Sequence, residues 1–252
     1  MRVFINGFGR IGRSVLRASL QSENRDLQIV GINDIASPEM CAYLFEFDSV
    51  FGPWRGLVAL QDGALVIDGR AIPLHRTPDI SGLDLTDIDL VMECTGRADK
   101  RDIADRGLRA GAARVLISGP SAAADLTVVL GANDAELGAH PIVSNASCAT
   151  NALAPLARLI HEHWGVITGS MTTIHCYTGS QPTVDMPAAD FSRSRAAALS
   201  MVPTTTSAQR MLDQVLPQIA GRIEGSAVRV PTASVSAAGP ARRPRRPRIS
   251  TG

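Results

Sequence analysis

The segment "INGFGRIGR" (residues 5–13) sets three glycines in a Gly-x-Gly-x-x-Gly spacing between a predicted strand and a predicted helix, and the prediction of the fold starts from it. The preceding run "RVFIN" (residues 2–6) is apolar and predicts a buried strand. Apolar residues recur at helical spacing in the segment that follows the glycines. A strand, a glycine turn and a helix in this order indicate the first half of a βαβ unit in a parallel sheet.

Each glycine of this stretch has a separate purpose in a dinucleotide site. Gly7 allows the tight turn, Gly9 lets a pyrophosphate approach the backbone, and Gly12 lets the helix pack closely on the strand. Asp34 ends the second predicted strand, where its carboxylate would accept hydrogen bonds from ribose hydroxyls and repel a 2′-phosphate. A structural turn with a helix-capping acid is the alternative. The coincidence of strand, glycines and acid favours the dinucleotide site.

Strand and helix patterns alternate up to about residue 145, with a hairpin predicted at Asp62-Gly63. The pattern then changes to a helix at residues 148–164 with Pro155 inside it, where a kink or a late start is expected. A long strand follows at residues 166–178. The predicted class is therefore α/β, with a Rossmann-type doubly wound nucleotide domain followed by an α+β catalytic domain.

Composition excludes several classes of protein. The 252 residues are 45% hydrophobic and 19% charged, which is typical of one or two globular domains. The net charge of +1 does not indicate a strongly acidic or strongly basic protein. No apolar run is long enough to span a membrane, and the start of the chain lacks a signal-peptide core, so a cytoplasmic protein is expected. The four cysteines show neither CxxC spacing nor a metal-ligand cluster. We therefore expect free thiols and no metal.

"SNASCATN" (residues 144–151) places a thiol among small polar residues, at the predicted start of a helix. Unpaired N–H groups and the helix dipole favour a thiolate at Cys148, which suggests a nucleophile. His175 lies at the far end of the long strand and could reach the sulfur as a base or as an ion-pair partner. From the residues alone, a structural cysteine and a histidine satisfied within the strand stay open.

Five motifs in order carry a family resemblance over residues 1–237: "INGFGRIGR", "SNASCATN", "TIHCYTGSQ", "RSRAAALSMVPTTT" and "AVRVPTASVS". The chain resembles the phosphorylating glyceraldehyde-3-phosphate dehydrogenases. The resemblance implies oxidation of glyceraldehyde 3-phosphate by NAD, with phosphorylation to 1,3-bisphosphoglycerate, a step of glycolysis and gluconeogenesis. Cys148 would form the thioester, and His175 would take the proton.

The resemblance also implies the binding residues. Those for NAD are Gly7, Gly9, Arg10, Ile11, Gly12, Asp34, Arg76, Thr95 and Ser118. Those for the two phosphates are Thr178 and Arg229 for the substrate, and Ser147, Thr206 and Ser207 for inorganic phosphate. A homotetramer is implied as well, because residues 179–204 match the segment that the family uses at subunit contacts.

Several positions depart from the family pattern. Ala149 replaces the usual Thr, Gly179-Ser180 replaces Asn-Asp, and Ser207 replaces a common Gly. These changes could weaken the phosphate step, or they could mark a paralogue with a different aldehyde substrate, such as erythrose 4-phosphate. A truncated, inactive NAD-binding protein is a further alternative, because the catalytic domain is incomplete. Aspartate-semialdehyde dehydrogenase, another enzyme with a nucleotide fold, Cys and His, is disfavoured by Asp34 and by the "RVPT" segment.

The last fifteen residues, 238–252, contain five arginines and no acid, and we expect them to be disordered. They could be a basic tail that binds nucleic acid, a tail without function, or the product of a reading frame lost near residue 237. We favour the lost frame, because the family continues with further strands that this segment lacks. The predicted organisation is an NAD-binding domain at 1–147, an incomplete catalytic domain at 148–237 and this tail, with no nucleic-acid partner.

Overall fold

A computed structural model describes residues 1–23, 26–188 and 190–244. The chain divides into two units. The first contains Met1–Thr127 and Leu137–Asn145, and the second contains Val128–Glu136 and the chain from Ala146 onward. The predicted division after residue 147 lies two residues from the observed one, but nothing in the sequence pattern indicated that Val128–Glu136 belongs with the second unit.

The first unit is built on a nine-stranded sheet and a separate two-stranded ribbon. Its strands are β1 (Arg2–Asn6), β2 (Gln28–Asn33), β3 (Phe47–Asp48), β4 (Gly52–Pro53), β5 (Val58–Gln61), β6 (Ala64–Ile67), β7 (Arg70–His75), β8 (Leu90–Glu93), β9 (Val115–Ile117), β10 (Leu126–Thr127) and β11 (Ile142–Ser144). Its helices are α1 (Arg10–Gln21), α2 (Pro38–Glu46), α3 (Arg101–Ala104) and α4 (Arg106–Arg109), with a 3₁₀ turn at Ile80–Gly82.

The sheet runs in the order β10-β11-β9-β8-β1-β2-β7-β6-β5, with parallel pairing from β10 to β7. β1 lies at its centre, and Val3, Phe4 and Ile5 are fully buried because apolar clusters cover both faces. Phe4 belongs to one cluster, while Val3 and Ile5 belong to the other, as alternation along a strand requires. The predicted doubly wound nucleotide fold is confirmed.

Local sequence signals account for two of the connections. Asp62 and Gly63 join β5 to β6 with φ values of 49° and 76°, the left-handed pair that a tight hairpin requires. Ser37 caps α2 by accepting a hydrogen bond from the N–H of Met40, and Pro38 is the first helical residue. The helical crossover after β8 consists of two single turns, α3 and α4, divided at Asp105.

The second unit packs two helices against a four-stranded sheet. Its elements are α5 (Cys148–Trp164), β12 (Val166–Cys176), β13 (Val202–Thr204), α6 (Ala208–Val215), β14 (Ile223–Val230) and β15 (Ser236–Pro244), with 3₁₀ turns at Asp134–Glu136, Ser192–Ser194 and Pro217–Ile219. The strand order is β13-β14-β12-β15, with β12 parallel to β14 and antiparallel to β15. Helix α5 begins at Cys148 and contains Pro155, so the expected late start does not occur.

The structure departs from the sequence interpretation after β14. β14 ends at Val230, because Pro231 cannot donate to a ladder and Val235 adopts a left-handed φ of 73°. The chain then returns as β15, so residues 238–244, which were expected to be disordered, form an antiparallel strand along β12. The open edge of β12 offers backbone partners that composition does not reveal. Residues 245–252 of the predicted tail lie outside the described residues.

Within the described residues, no helix is both long enough and apolar enough to cross a membrane.

Candidate functional site

A cavity of about 500 Å³ lies at the carboxyl ends of the central parallel strands of the first unit. Of the residues predicted for NAD, four line it: Gly7, Gly9, Asp34 and Thr95. Ligands of doubly wound sheets bind at this edge, where the glycine turn after β1 presents backbone N–H groups. The cavity is therefore where a dinucleotide site was predicted.

The space available for a side chain differs among the three glycines. A Cβ on Gly12 would lie 2.2 Å from the Gly7 carbonyl oxygen, and one on Gly7 would lie 2.7 Å from the backbone of Cys94. Gly7 also has a φ of 95°, which favours glycine. A Cβ on Gly9 would meet no atom within 4 Å. Gly7 and Gly12 are thus required by the fold, whereas Gly9 leaves open space over the backbone, which fits a pyrophosphate.

Asp34 fixes the glycine turn to the end of β2. One carboxylate oxygen accepts a hydrogen bond of 2.6 Å from the N–H of Phe8, and the other accepts one of 2.8 Å from the N–H of Ala36. A carboxylate oxygen accepts more than one hydrogen bond, so both retain capacity for ribose hydroxyls. The side chain fits the predicted ribose contact.

Sequence reasoning missed a buried polar network beneath the cavity. The Asn33 amide donates to Asn6 Oδ1 at 2.8 Å, and the Asn6 amide donates to Glu93 Oε2 at 2.6 Å. Glu93 in turn accepts hydrogen bonds from the N–H and the hydroxyl of Thr95. The available signal was positional, because Asn6, Asn33 and Glu93 are the last residues of three buried parallel strands. The network holds the strand ends and Thr95 in place.

The other residues predicted for NAD lie outside the cavity lining: Arg10, Ile11, Gly12, Arg76 and Ser118. Arg10 and Ile11 open α1 and are exposed, Arg76 donates to the Ile35 carbonyl at 3.1 Å, and the N–H of Ser118 donates to the Glu93 carbonyl. Their contacts with NAD stay predictions.

Cys148 is the first residue of α5 in the second unit. Ser147 caps the helix, because its hydroxyl accepts a hydrogen bond of 3.2 Å from the N–H of Thr150. Ala146 precedes the cap with a left-handed φ of 54°, an uncommon conformation outside glycine. The cap and this turn place the exposed thiol at a helix N-terminus, beside the N–H groups of the first turn.

The second ionisable group of this site is a histidine. His175 Nε2 lies 3.2 Å from Cys148 Sγ, although the two residues are 27 positions apart. The strand β12 runs back beside α5 and carries the imidazole to the start of the helix. A thiol and an imidazole at this distance can exchange a proton or form an ion pair. The catalytic roles of both residues stay predictions.

Arg229 contacts His175, and the sequence did not indicate this contact. It lies on β14 directly opposite His175, and its Nη1 is 2.6 Å from His175 Nδ1. The same nitrogen donates to the Cys176 carbonyl at 3.1 Å. The site is therefore a chain of contacts from Cys148 through His175 to Arg229.

The remaining residues predicted for phosphate binding make local hydrogen bonds. The hydroxyl of Thr178 lies 2.9 Å from that of Ser180, and the hydroxyl of Thr206 accepts from the N–H of Ala208 at the start of α6. Ser207 immediately precedes α6. Their phosphate roles stay predictions.

Two cysteines of the first unit contrast with Cys148. Burial raises the pKa of Cys41 to about 11 and the pKa of Cys94 to about 11. All four cysteines are free thiols, as predicted. The thiol at the helix start is the exposed one.

Comparison with known proteins bears on both units. Residues 1–101 match the family model described as the NAD binding domain of glyceraldehyde 3-phosphate dehydrogenase, and residues 147–240 match its C-terminal domain. The second match extends slightly past residue 237, where the sequence resemblance was expected to end.

Curated relatives include the glyceraldehyde-3-phosphate dehydrogenases of Xanthobacter flavus (46% identity over 239 residues), Geobacillus stearothermophilus (43% over 240) and Cereibacter sphaeroides (46% over 237). Each alignment covers 94% of this chain and 71% of the relative. These matches support NAD as the coenzyme and an oxidoreductase as the class of enzyme. The chain belongs to the glyceraldehyde-3-phosphate dehydrogenase family.

Proposed function

We propose that the chain oxidises glyceraldehyde 3-phosphate with NAD and phosphorylates the product to 1,3-bisphosphoglycerate. The observation that carries this proposal is the 3.2 Å contact between Cys148 Sγ and His175 Nε2 at the start of α5. It supplies a nucleophile and a proton carrier in one place. NAD, when bound, accepts the hydride from the substrate carbon.

The chain's own residues account for the other steps. The Cys148 thiolate attacks the aldehyde carbon, so a C–S bond forms and the carbonyl electron pair moves to oxygen, which takes a proton from water to give a hemithioacetal. His175 Nε2 takes the hydroxyl proton as this carbon is oxidised, and a thioester remains on Cys148. An oxygen of inorganic phosphate then attacks the thioester carbon, releasing the acyl phosphate and restoring the thiolate.

Side chains of matching chemistry support two phosphate positions. The Arg229 guanidinium and the Thr178 hydroxyl suit the phosphate of the substrate, because a guanidinium offers forked donors to phosphate oxygens. Ser147, Thr206 and Ser207 lie at the starts of α5 and α6, where backbone N–H groups assist anion binding, and we assign them to inorganic phosphate.

The wider setting follows from the family. We infer that the chain works as a glycolytic homotetramer in the cytoplasm, and four free thiols are consistent with a reducing compartment. The alternative of an erythrose-4-phosphate dehydrogenase gains no support from the relatives, since the three reported above are named for glyceraldehyde 3-phosphate.

The test is NAD reduction by the full chain with glyceraldehyde 3-phosphate, in the presence and absence of inorganic phosphate. With phosphate the reaction should turn over repeatedly, and without it NAD reduction should stop near one equivalent, because the thioester accumulates. Cys148→Ser should lower turnover by about a thousandfold or more, whereas Cys41→Ala serves as the matched cysteine control. Normal turnover by the Cys148→Ser variant would refute the nucleophile.

A further inference from the structure

Glu93 is a buried carboxylate that the proposed reaction does not use. It ends β8 beneath the nucleotide cavity, and the residue is 3% exposed. Among the residues that the structure describes, no arginine, lysine or histidine lies within salt-bridge distance of it. Its hydrogen-bond partners are neutral, namely the Asn6 amide and the N–H and hydroxyl of Thr95. Burying a charge without a counter-ion costs free energy, which sets Glu93 apart from the paired carboxylates at the surface of this unit.

The direction of the hydrogen bonds that reach Glu93 is determined by backbone groups. The N–H of Thr77 can only donate, and it faces Asn33 Oδ1 at 2.9 Å. The amide nitrogen of Asn33 therefore faces Asn6 Oδ1 at 2.8 Å, and the amide nitrogen of Asn6 faces Glu93 Oε2 at 2.6 Å. Glu93 Oε1 accepts the backbone N–H of Thr95 at 2.8 Å. Both oxygens of Glu93 thus face fixed donors, which favours the ionised carboxylate.

A fixed negative charge beside this cavity acts differently on the two forms of the coenzyme. Oxidised NAD carries a positive pyridinium ring that hydride transfer neutralises, so NADH has one more unit of net negative charge. Asn6 and Thr95 line the cavity and both bond Glu93, so the carboxylate lies one side chain behind the cavity wall. Because like charges repel, Glu93 should cost NADH more binding free energy than it costs NAD. The sign of this difference does not depend on where along the cavity the ring lies.

We propose that Glu93 makes the cavity discriminate against NADH relative to NAD, which favours release of the reduced coenzyme after each oxidation. This role requires the coenzyme to bind in the cavity where the dinucleotide site was predicted, and it is independent of the substrate and of the thiol chemistry. Asp34, Arg97 and Arg106 also line the cavity. Their charges stay the same when Glu93 alone is altered, so a comparison of variants at Glu93 isolates its contribution.

The test is the ratio of the dissociation constant of NADH to that of NAD, measured by isothermal titration calorimetry on the full chain. Glu93→Gln removes the charge, and this ratio should fall by about three- to tenfold. A purely structural role in holding Thr95 would weaken the binding of both forms alike and leave the ratio unchanged. Asp89→Asn is the control, because Asp89 is exposed and precedes β8 at the end opposite Glu93. Removal of the same unit charge there should leave the ratio within about twofold, since solvent and salt screen an exposed charge.

A double variant separates the charge from the hydrogen bonds. In Glu93→Gln the new amide nitrogen faces the amide nitrogen of Asn6, and this contact between two donors can weaken folding. Asn6→Asp combined with Glu93→Gln restores an acceptor for each donor, because the new carboxylate accepts from Asn33 and from the new amide. It also keeps one negative charge beneath the cavity. The ratio in this double variant should stay at or above that of the unaltered chain, which keeps the proposal testable even if Glu93→Gln alone does not fold.

Three results would overturn the proposal: an unchanged ratio in a folded Glu93→Gln variant, an equal fall in Asp89→Asn, or a fall of about threefold or more in the double variant. An unaltered chain that binds neither form of the coenzyme would overturn both the dinucleotide site and the role of Glu93. Binding is measured without an aldehyde, so these results are independent of turnover. A chain that shows the expected ratios but does not oxidise glyceraldehyde 3-phosphate contradicts the proposed function and leaves the role of Glu93 intact.

Discussion

The nucleotide cavity of the first unit and the thiol site of the second are assembled in different ways. The cavity is built around backbone, where the glycine turn at residues 7–12 follows one strand and the ends of neighbouring strands complete it. The thiol site joins side chains from three elements, with His175 lying 27 residues from Cys148 and 54 residues from Arg229. Local spacing therefore determines the glycine turn of the cavity, whereas strand register determines the thiol site.

The two regions also use cysteine differently. In the first unit Cys41 is buried in an apolar cluster, and Cys94 immediately follows β8. In the second unit Cys148 is exposed at a capped helix start. The same residue type is therefore kept protonated in one region and presented to solvent in the other.

The largest effect that we expect from this contrast is in alkylation rate. At pH 8, a thiol with a pKa of about 11, such as Cys41 or Cys94, is thiolate in only about one molecule in a thousand. Iodoacetamide should therefore label Cys148 about a hundredfold faster than either of them, as followed by peptide mass spectrometry over time.

The rates should converge when the chain is unfolded in urea, which serves as the control for the intrinsic reactivity of each cysteine. Equal labelling of Cys148, Cys41 and Cys94 in the folded chain would contradict the contrast and remove the basis for a helix-start nucleophile.

The fold of the first unit could be predicted from sequence because its signals are local. The glycine spacing, the Asp62-Gly63 turn and the Ser37-Pro38 helix start each act within a few residues. The start of α5 at Cys148 was predictable for the same reason. These features depend on φ, ψ and capping preferences that a short segment carries with it.

The features that could not be predicted depend on which strands lie next to each other and in which register, and no short segment specifies this. In the sequence, Arg229 cannot be distinguished from an ordinary strand arginine. The register of β12 with β14 places it against His175. The Asn6–Asn33–Glu93 network requires three strand ends to be adjacent. The strand at residues 238–244 exists because the edge of β12 is open to it, although its composition indicated disorder.

A second, smaller effect separates two glycines of the nucleotide cavity. Gly12→Ala should destabilise the first unit by about 1–3 kcal/mol, because its Cβ would lie 2.2 Å from the Gly7 carbonyl oxygen. Gly9→Ala should leave the unfolding free energy within about 1 kcal/mol, because φ is −69° and no atom lies near the new Cβ.

Gly9→Ala should nevertheless weaken NAD binding, because the methyl group occupies the space left for the pyrophosphate. Urea unfolding measures the first property, and titration of NAD against the quenching of protein fluorescence measures the second. If Gly9→Ala binds NAD normally, the pyrophosphate does not approach the chain at this glycine.

The smallest effect compares the serine caps of the two regions. Each serine hydroxyl accepts a hydrogen bond from a backbone N–H in the first turn of its helix. The donor is Thr150 for Ser147 and Met40 for Ser37. Ser147→Ala and Ser37→Ala should therefore each lower the unfolding free energy by about 1 kcal/mol. Only Ser147→Ala should also slow the alkylation of Cys148, since the cap positions the helix start beneath the thiol. Urea unfolding and labelling of both variants test this. If Ser37→Ala slows the reaction of Cys148 equally, the effect comes from general destabilisation. If neither variant slows it, the reactivity of Cys148 does not depend on its capped helix start and must come from His175.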